Sequence, residues 1–505
     1  MISLFGDGGT VDLLGQHLSL GTTMFLLLAL GLALSFEFVN GFHDTANAVA
    51  TVIYTHTLKP VYAVVWSGCW NLIGVLQSGG GVAFVVVALL PVELVIHVGS
   101  AAGFAMVFAL LISAIVWNVG TWYFGLPASS SHTLIGSIMG VGLANSMMAK
   151  GHAFGEGVNW AKASEVGMSL LISPIIGFGC AALLLLLMKL LIKREDLYKA
   201  PEGQKPPPVW IRGLLILTCT GVSFAHGSND GQKGMGLIML ILIGILPATY
   251  AVNMDTSQES IQGISQSATA ITAQMGRHSP GVALAGYQTS ADELSSYLKT
   301  TGVSRDLTYA AIGNECVEIS DMIQGKRSFS ELSTDQRRTL RTNLYLVSES
   351  LGKLVKQHKL SAGEAQEAAA LKSRMDKTTK FIPLWLKVAV ALALGMGTMI
   401  GWKRIVVTVG EKIGKSHLTY AQGASAELVT MCTIMAADHL NLPVSTTHVL
   451  SSGVAGAMAA NHSGLQMDTL RNVLLAWVLT LPVSVLLGAG IFSFGLNVVI
   501  RLGLK

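Results

Sequence analysis

The stretch NGFHDTANAVAT in residues 40–51 places charged and polar side chains between two apolar runs. A carboxylate at the centre of a bilayer costs about 2.5–3.5 kcal/mol on insertion scales, so it is retained where it faces a cavity or a bound ion. His43, Asp44 and Asn47 are therefore candidate functional residues. Taken alone, Asp44 has an equally good alternative interpretation. It could lie near the membrane surface, where water or a neighbouring helix would hydrogen-bond to its carboxylate.

A second copy of this stretch, GSNDGQK, occupies residues 227–233, again between apolar runs. The offset of 186 residues aligns Gly41, His43, Asp44 and Asn47 with Gly227, Asn229, Asp230 and Lys233. Two aspartates in matching apolar contexts favour one shared site over two separate accidents. Lys233 can pair with Asp230 or with a bound anion, although a lysine that extends to the membrane surface is an equally good interpretation.

A second pair of motifs is rich in hydroxyl groups: PASSSH in residues 127–132 and PVSTTH in residues 443–448. The hydroxyl-bearing residues are Ser129, Ser130, Ser131, Ser445, Thr446 and Thr447. We interpret both segments as re-entrant hairpins, which a membrane tolerates only inside protein or beside a water-filled cavity. Helix starts attract anions and hydroxyls add neutral donors, so two facing segments would suit a tetrahedral oxyanion. Helix capping and close helix packing are the alternative.

The composition is that of an integral membrane protein. Of 505 residues, 51% are hydrophobic and only 12% are charged, and the mean hydropathy is +0.56. A soluble chain carries about 25% charged residues. The net charge of +4 gives no indication of a nucleic-acid partner. The five cysteines lack metal-ligand spacing, and we expect no resident cofactor.

The chain is predicted to be an internal duplication. The two hydroxyl motifs are 316 residues apart, which is 130 more than the separation of the two aspartate motifs. A charged segment of about 130 residues, Asn253–Lys380, lies between the two hydroxyl motifs. This segment carries 15 Lys and Arg and 14 Asp and Glu, which indicates a soluble insert in the second copy. Without it, both motif pairs align at one spacing. Within it, Ser333 and a helical apolar spacing from Leu340 predict a helix.

The predicted fold is all-α and polytopic, with about five transmembrane helices and one re-entrant helical hairpin in each copy. Apolar runs cover about 22–39, 44–58, 61–76, 82–96, 102–123 and 166–192, then 381–402, 417–440 and about 470–500. The predicted divisions are a first transmembrane repeat at 20–192, a cytoplasmic linker at 193–212, the start of the second repeat at 213–252, a cytoplasmic helical insert at 253–380 and the rest of the second repeat at 381–505. An odd number of crossings per copy would invert the second repeat relative to the first.

Charge predicts the orientation. The basic linker should be cytoplasmic, and the first 21 residues, which lack Lys and Arg, should lie outside. The insert is then cytoplasmic as well. Four basic residues disagree with this rule because they would lie outside: Lys403, Arg404, Lys412 and Lys415.

Two intramembrane carboxylates would repel a bare anion, so a cation must accompany it. Carboxylate and amide oxygens suit a sodium ion or a metal bound with the substrate, and His43 could carry a proton near neutral pH. Coupling of this kind favours a symporter over an anion channel.

Together, GFHDTANA, FAHGSNDGQKG, PASSSH and PVSTTH resemble the inorganic phosphate transporter (Pit) family, specifically its bacterial low-affinity branch. The resemblance covers both repeats and implies phosphate import across the inner membrane. It places Asp44, Asn47, Asn229, Asp230 and the two hydroxyl runs in the phosphate and cation site. The family usually has Asn where this chain has His43 and Lys233. Both changes remove a neutral oxygen ligand, so the proton is the expected coupling ion, and the branch is linked to neutral metal–phosphate complexes.

We therefore assign substrate binding and cation coupling to different side chains. Substrate binding is expected from Ser129, Ser130, Ser131, Asn229, Lys233, Ser445, Thr446 and Thr447, and cation coupling from His43, Asp44, Asn47 and Asp230. A homodimer in the lipid bilayer is the expected assembly.

Three other functions are consistent with parts of the sequence. A sulfate permease could use the same scaffold, and a membrane phosphate sensor could signal through the insert. An intramembrane enzyme could use the Ser–His or Asp–His pairs. Matched halves argue against an enzyme because a hydrolase needs one nucleophile, and neither GxSxG nor HExxH occurs.

Overall fold

The computed structural model describes residues 3–501, apart from positions 7–9, 15, 91–99, 149–154, 156–157, 202, 204–205, 283–285 and 300–301. Nearly all of it is helical, as the sequence predicts. The helices are α1 (Leu20–Asp44), α2 (Ala46–Tyr54), α3 (Pro60–Gln77), α4 (Gly81–Val87), α5 (Ala101–Tyr123), α6 (Ser130–Met148), α7 (Trp160–Leu191), α8 (Val209–Ile245), α9 (Pro247–Tyr250), α10 (Gln258–His278), α11 (Tyr287–Leu298), α12 (Asp306–Ile323), α13 (Thr334–Lys356), α14 (Ala362–Thr379), α15 (Leu384–Met399), α16 (Lys403–Val407), α17 (Tyr420–His439), α18 (Thr446–Ala460) and α19 (Met467–Arg501). The end of the apolar run at 82–96 and three positions of the predicted linker lie outside the described residues.

A small antiparallel sheet precedes the first helix, so the all-α prediction is wrong at this end of the chain. Its strands are β1 (Ser3–Gly6), β2 (Thr10–Leu13) and β3 (Gln16–Ser19), in that order. Val11 pairs with Leu18, and both side chains are buried. Side chains alternate between the two faces of a strand, so Val11 and Leu18 share one face of the β2–β3 pair, and that face is buried at this position.

The first two apolar runs form one 35-residue candidate span, Leu20–Tyr54, rather than two. Ser19 caps its start, since its Oγ accepts the backbone N–H of Thr22 at 3.1 Å. The span is interrupted only at Thr45, whose hydroxyl donates to the carbonyl oxygens of Gly41 at 2.6 Å and Thr398 at 3.0 Å. The interruption directly follows Asp44 and ties the motif to α15.

Among the described residues, five helices are long and apolar enough to cross a membrane, or seven if each of two sharply bent helix pairs is one span. This is fewer than two copies of five predict. Two features of the sequence account for the difference. The runs at 22–39 and 44–58 merge into one span, and the runs at 61–76 and 82–96 form one bent helix pair, Pro60–Gln77 with Gly81–Val87.

The two halves of the chain pack against each other through matching contacts. A Cβ at Gly41 in α1 would collide with the carbonyl oxygen of Leu394 in α15, and one at Gly227 in α8 would collide with that of Asn71 in α3. The two glycines are 186 residues apart. Each aspartate motif therefore lies directly on a helix of the other half, at a distance that only glycine permits.

The helices after the hydroxyl motifs repeat this arrangement. Gly140 in α6 contacts the backbone of Val485 in α19, and Gly456 in α18 contacts that of Phe178 in α7. These glycines are separated by the second offset of 316 residues. Both pairs of motifs are thus held by the same type of close helix contact between the halves.

Helices α10 to α14, within residues 258–379, surround an apolar core of their own. The predicted helix start at Ser333 is present as a capping box. Its Oγ accepts the N–H of Gln336 at 3.2 Å, and the Gln336 side chain accepts the N–H of Ser333 at 2.8 Å. The ends of this helical unit meet, since the Asn253 N–H donates to the Thr378 carbonyl at 2.9 Å. The unit therefore leaves and rejoins the rest of the chain at one place.

Candidate functional site

The two aspartate motifs and the two hydroxyl runs, which are distant in the sequence, meet in one buried cluster. The C-terminus of α1 and the middle of α8 contribute the carboxylates, and the N-termini of α6 and α18 contribute the hydroxyls. The side chains of Asp44, Asp230, Lys233, Ser131 and Thr447 are each at most 2% exposed. The structure thus brings together residues from both halves of the chain.

Asp44 receives one hydroxyl from each run. Its Oδ1 accepts from the Thr447 hydroxyl at 2.6 Å, and its Oδ2 accepts from the Ser130 hydroxyl at 3.1 Å. His43 lies beside it, with Nδ1 at 3.2 Å from the same Oδ1 and Nε2 at 3.1 Å from the Thr121 hydroxyl. The carboxylate is therefore held by neutral donors together with an imidazole that Thr121 orients.

Asp230 is paired with Lys233, one turn further along α8. The Lys233 Nζ donates to the Asp230 Oδ1 at 2.6 Å and to the Ser131 hydroxyl at 2.5 Å. Lys233 is completely buried, so the alternative of a lysine that extends to the membrane surface does not hold. Its ammonium neutralises one of the two carboxylates, uses two of its three N–H donors in these bonds and has one left for a ligand.

Asn47 and Asn229 contribute their amides differently. The Asn47 Nδ2 donates to the hydroxyls of Thr446 and Thr447, both at 3.1 Å, whereas the Asn229 Nδ2 donates to the Leu442 carbonyl at 3.2 Å. Neither amide oxygen has a hydrogen-bond partner among the described residues. A buried acceptor without a donor is costly. These oxygens are therefore free to take a cation or a proton-bearing ligand.

The first hydroxyl of each run has a capping role. The Oγ atoms of Ser129 and Ser445 accept the backbone N–H groups of His132 and His448, both at 3.2 Å. The capping alternative thus describes these two residues, which the sequence placed in substrate binding. The remaining four hydroxyls contact Asp44, Asn47 or Lys233. The rings of His132 and His448 lie side by side, with centroids 4.6 Å apart and planes tilted by 32°.

His226 lies between the two carboxylates, a position that sequence reasoning missed. Its Nε2 is 3.4 Å from the Asp230 Oδ2 and 3.7 Å from the Asp44 Oδ2, while its Nδ1 is 2.9 Å from the Asn71 Oδ1. The available signal was the spacing, since His226 and Asp230 are four residues apart on one helix face. Asp44, His226 and Asp230 offer ligand atoms within 4.8 Å of one another, a set that could hold a metal ion.

Glu37 is a second residue that the sequence reasoning did not single out. Its side chain is completely buried, and neither carboxylate oxygen has a hydrogen-bond partner among the described residues. It lies against Gly234, where a Cβ would collide with its Oε1. Glu37 precedes Asp44 by seven residues, two turns of one helix, so both lie on the same face of α1. This spacing was the signal available in the sequence.

Comparison with known proteins identifies the family. Residues 40–488 match the family model described as the phosphate transporter family. The chain belongs to this family. The transporter is 43% identical over 495 residues to the low-affinity inorganic phosphate transporter PitA of Escherichia coli K12, covering 95% of this chain and 98% of that relative. It is 41% identical to PitB of the same organism, covering 95% and 99%.

More distant relatives agree with this assignment. A probable low-affinity inorganic phosphate transporter of Bacillus subtilis is 28% identical, over 92% of this chain and 96% of its own length. A solved structure described as the sodium-dependent phosphate transporter has a TM-score of 0.50 and 18% identity, covering 95% and 99% of the two chains. At that identity the likeness establishes a shared fold. The relatives are transporters, which removes the intramembrane enzyme from the alternatives.

Proposed function

We propose that the transporter imports inorganic phosphate by cation symport, with a proton as the coupling ion. The observation that carries this proposal is the convergence of both aspartates, four hydroxyls and Lys233 in one buried cluster. A tetrahedral oxyanion needs several donors around it, and the Ser130, Ser131, Thr446 and Thr447 hydroxyls with the Lys233 ammonium are the candidates. Ser130 and Thr447 now donate to Asp44 and Ser131 donates to the Val444 carbonyl, so these three O–H groups must turn from their present acceptors to the bound anion. The names of the relatives PitA and PitB support phosphate as the substrate.

The two carboxylates make this cluster unsuitable for an unaccompanied anion. With His43 and His226 neutral, Asp44 and Asp230 carry two negative charges and Lys233 one positive charge, so bound phosphate would add to an uncompensated charge. Burial makes such an excess costly. A cation that neutralises a carboxylate during the transport cycle removes this cost, and this is the physical basis of the proposed coupling.

Lys233 is the reason to propose a proton rather than sodium. Its ammonium occupies the Asp230 Oδ1 at 2.6 Å, so a sodium ion there would face a neighbouring positive charge. A proton needs only a titratable acceptor. Asp44, His43 and the unpartnered Glu37 are such acceptors on the same helix.

A metal–phosphate complex is a second candidate substrate. Asp44, His226 and Asp230 combine two hard oxygen ligands with one imidazole nitrogen, a set that divalent transition metals accept. The metal ion would be transported together with the phosphate. Its positive charge would neutralise the carboxylates in place of the coupling cation.

The proposal includes an inverted arrangement of the two repeats, with alternating access to a central site between them. The matched contacts of Gly41 and Gly227 with opposite halves support it. The re-entrant character of the hydroxyl segments, an inner-membrane location with residues 253–380 in the cytoplasm, and a homodimer complete the proposal. The predicted N-terminus outside does not fit this orientation, because the Thr249 hydroxyl donates to the Leu14 carbonyl and places the N-terminal strands at the same end of α8 as residues 253–380. The linker, at the other end of this single span, would then lie outside.

Uptake into proteoliposomes tests the proposed function. Labelled phosphate and sulfate are supplied in turn, each with an imposed pH gradient, sodium gradient or neither. We expect phosphate accumulation driven by the pH gradient. Sulfate accumulation without phosphate accumulation would favour the permease, and no transport of either anion would favour the sensor.

Removal of a hydroxyl that faces the carboxylates should weaken phosphate binding. We expect Ser130→Ala and Thr447→Ala each to raise the apparent KM for phosphate by roughly 10- to 100-fold, because a hydrogen bond to a charged group contributes about 1.5–3 kcal/mol. The measurement is the initial rate of uptake against phosphate concentration.

Ser445→Ala is the matched control because its hydroxyl caps α18. It should lower thermal stability, since loss of a cap costs about 1 kcal/mol, and leave KM unchanged. Equal KM changes in all three variants would assign the hydroxyls to helix structure.

The helical unit at 258–379 should be dispensable for the transport cycle. We expect a variant in which a short Gly/Ser linker replaces Asp255–Thr379 to retain measurable uptake, because the chain already closes on itself at Asn253 and Thr378. It loses the hydrogen bonds from Arg337 and Arg341 to the carbonyls of Ala248 and Ala251. Stability in detergent should therefore fall. Complete loss of uptake in a correctly inserted variant would mean that this unit gates or assembles the transporter.

A further inference from the structure

A cavity of about 640 Å³ lies between the C-terminal end of α5 and the segment from Gly401 to Lys412. Trp122 and Tyr123 line it from α5, and Lys403, Arg404 and Lys412 line it from the opposite side. Three of the four basic residues that disagree with the predicted orientation thus surround one cavity. Neither the phosphate site nor the coupling mechanism uses them.

The three cations are not neutralised. None of Lys403, Arg404 and Lys412 forms an ion pair with a carboxylate in the part of the chain that the structure describes. A concave surface lined by charges of one sign concentrates the field and raises the local concentration of oppositely charged ligands. The positive charge of the cavity should therefore attract anions and raise their local concentration.

Arg404 is held in place within this cavity. Its Nη1 donates to the Tyr123 carbonyl at 2.8 Å, and its guanidinium lies over the rings of Trp122 and Tyr123, at 5.2 and 4.9 Å from their centroids. A guanidinium has five N–H donors, and only one of them is used here by the described residues. A fixed guanidinium with free donors is suited to an oxyanion.

The cavity adjoins the start of the first hydroxyl run. Gly125 lines it, and the Thr408 hydroxyl donates to the Gly125 carbonyl at 2.7 Å. Ser129 follows Gly125 by four residues, a path of at most about 14 Å even in extended chain. The wall of the cavity at Gly125 therefore lies within about 14 Å, along the chain, of the first hydroxyl run.

We propose that this cavity is an anion-capture vestibule that takes free phosphate from the outer solution and delivers it to the buried cluster. The inference rests on the proposed function and extends it with a second, more exposed site for the same anion. It also accounts for basic residues on the side of the membrane where the charge rule disfavours them. They lie there because the substrate is an anion that arrives from that side.

The test is phosphate uptake by the full-length chain carrying both Lys403→Gln and Lys412→Gln, in vesicles of phosphatidylcholine. We expect the apparent KM to rise by roughly threefold to tenfold, as loss of electrostatic attraction predicts, with the maximal rate unchanged. Added potassium chloride should raise KM in the parent chain and have less effect in the variant, because salt screens exposed charges. Lys415→Gln is the matched control, since Lys415 belongs to the same basic segment but does not line the cavity.

The outcomes separate this proposal from the proposed function. An unchanged KM in a double variant that still transports phosphate would overturn the vestibule and leave phosphate symport intact. An equal KM increase for Lys415→Gln would also overturn it, because general surface charge would then be the cause. Absence of phosphate transport by the parent chain would overturn the proposed function itself.

A lipid headgroup offers the same phosphate chemistry, so a second set of vesicles contains phosphatidylglycerol. The vestibule predicts the same KM difference between parent and variant in both lipids. A difference that occurs only with phosphatidylglycerol would make the cavity a headgroup site and overturn the capture of free phosphate. The side of the membrane is tested with Lys403→Cys and an impermeant thiol reagent, and the labelling is compared with that of the native cysteines alone. If the reagent labels Cys at this position only from the cytoplasmic side, the proposed vestibule is overturned as well.

Discussion

Asp44→Asn and Asp230→Asn are each expected to abolish concentrative phosphate uptake while the chain remains inserted in the membrane. Each change removes the negative charge that the coupling cation must neutralise. An interaction with a charged group contributes about 3 kcal/mol at most, and its loss from the transport step corresponds to a rate roughly 100-fold lower. The measurement is accumulation of labelled phosphate against its gradient, normalised to protein in the vesicles.

Folding of the two variants is a separate question because their surroundings differ. Asp44→Asn keeps an oxygen acceptor, and the Thr447 and Ser130 hydroxyls can also accept, so the helices should still pack. Asp230→Asn leaves Lys233 as a buried charge without a partner, and breaking a buried pair costs about 3–5 kcal/mol. The double variant Asp230→Asn/Lys233→Met should recover stability in detergent without recovering uptake.

These variants also separate coupling from binding. Exchange of labelled phosphate across the membrane, without net transport, should persist in part if only the coupling step is lost. Near-normal accumulation by either aspartate variant would remove that aspartate from the coupling mechanism.

The sequence was sufficient to predict that the four motifs act together. Equal spacing of the two motif pairs, once the charged insert is removed, implies that each half builds the same local structure. Two equal halves that pack on each other through the same faces bring equivalent residues to a common axis. The contacts of Asp44 with Ser130 of its own half and Thr447 of the other are the result.

The role of each hydroxyl could not be predicted in the same way. Successive residues of a helix differ in direction by about 100°, so three adjacent hydroxyls cannot all face one site. Which of them faces it depends on the residue at which the helix begins. α18 begins at Thr446, so Ser445 is its cap and Thr446 and Thr447 face Asn47. The residue at which α18 begins, and so the direction of each hydroxyl, depends on how α18 packs on the other half of the chain.

His226 was missed for a related reason. A histidine in an apolar run is more often a satisfied structural residue, and in its own half only the four-residue spacing from Asp230 indicates otherwise. Its proximity to Asp44 depends on the close approach of α1 and α8, which the sequence does not specify. Lys233 presented the same difficulty, because a long side chain can reach either the membrane surface or the interior, and only the packing around α8 decides.

Phosphate uptake by the parent chain should follow an inward proton gradient, collapse with a protonophore and be unaffected when sodium is replaced by potassium. Asn47 and Lys233 occupy equivalent positions, but the first presents an amide to Thr447 and the second an ammonium to Ser131. The ammonium repels a sodium ion at Asp230, and His43 replaces a second amide oxygen beside Asp44. A proton is not affected by either change, since it needs only an acceptor.

Conversion of both positions to asparagine should therefore introduce sodium sensitivity. We expect His43→Asn/Lys233→Asn to show phosphate uptake that a sodium gradient stimulates, because the variant restores an amide oxygen in each half and frees both oxygens of Asp230. His43→Asn alone is the control and should stay indifferent to sodium, since Lys233 still occupies the Asp230 Oδ1. Strict sodium dependence of the parent chain would refute the proton assignment. It would mean that Asp44, Asn47 and the free oxygens of Asn229 and Asp230 suffice to bind sodium beside a buried ammonium.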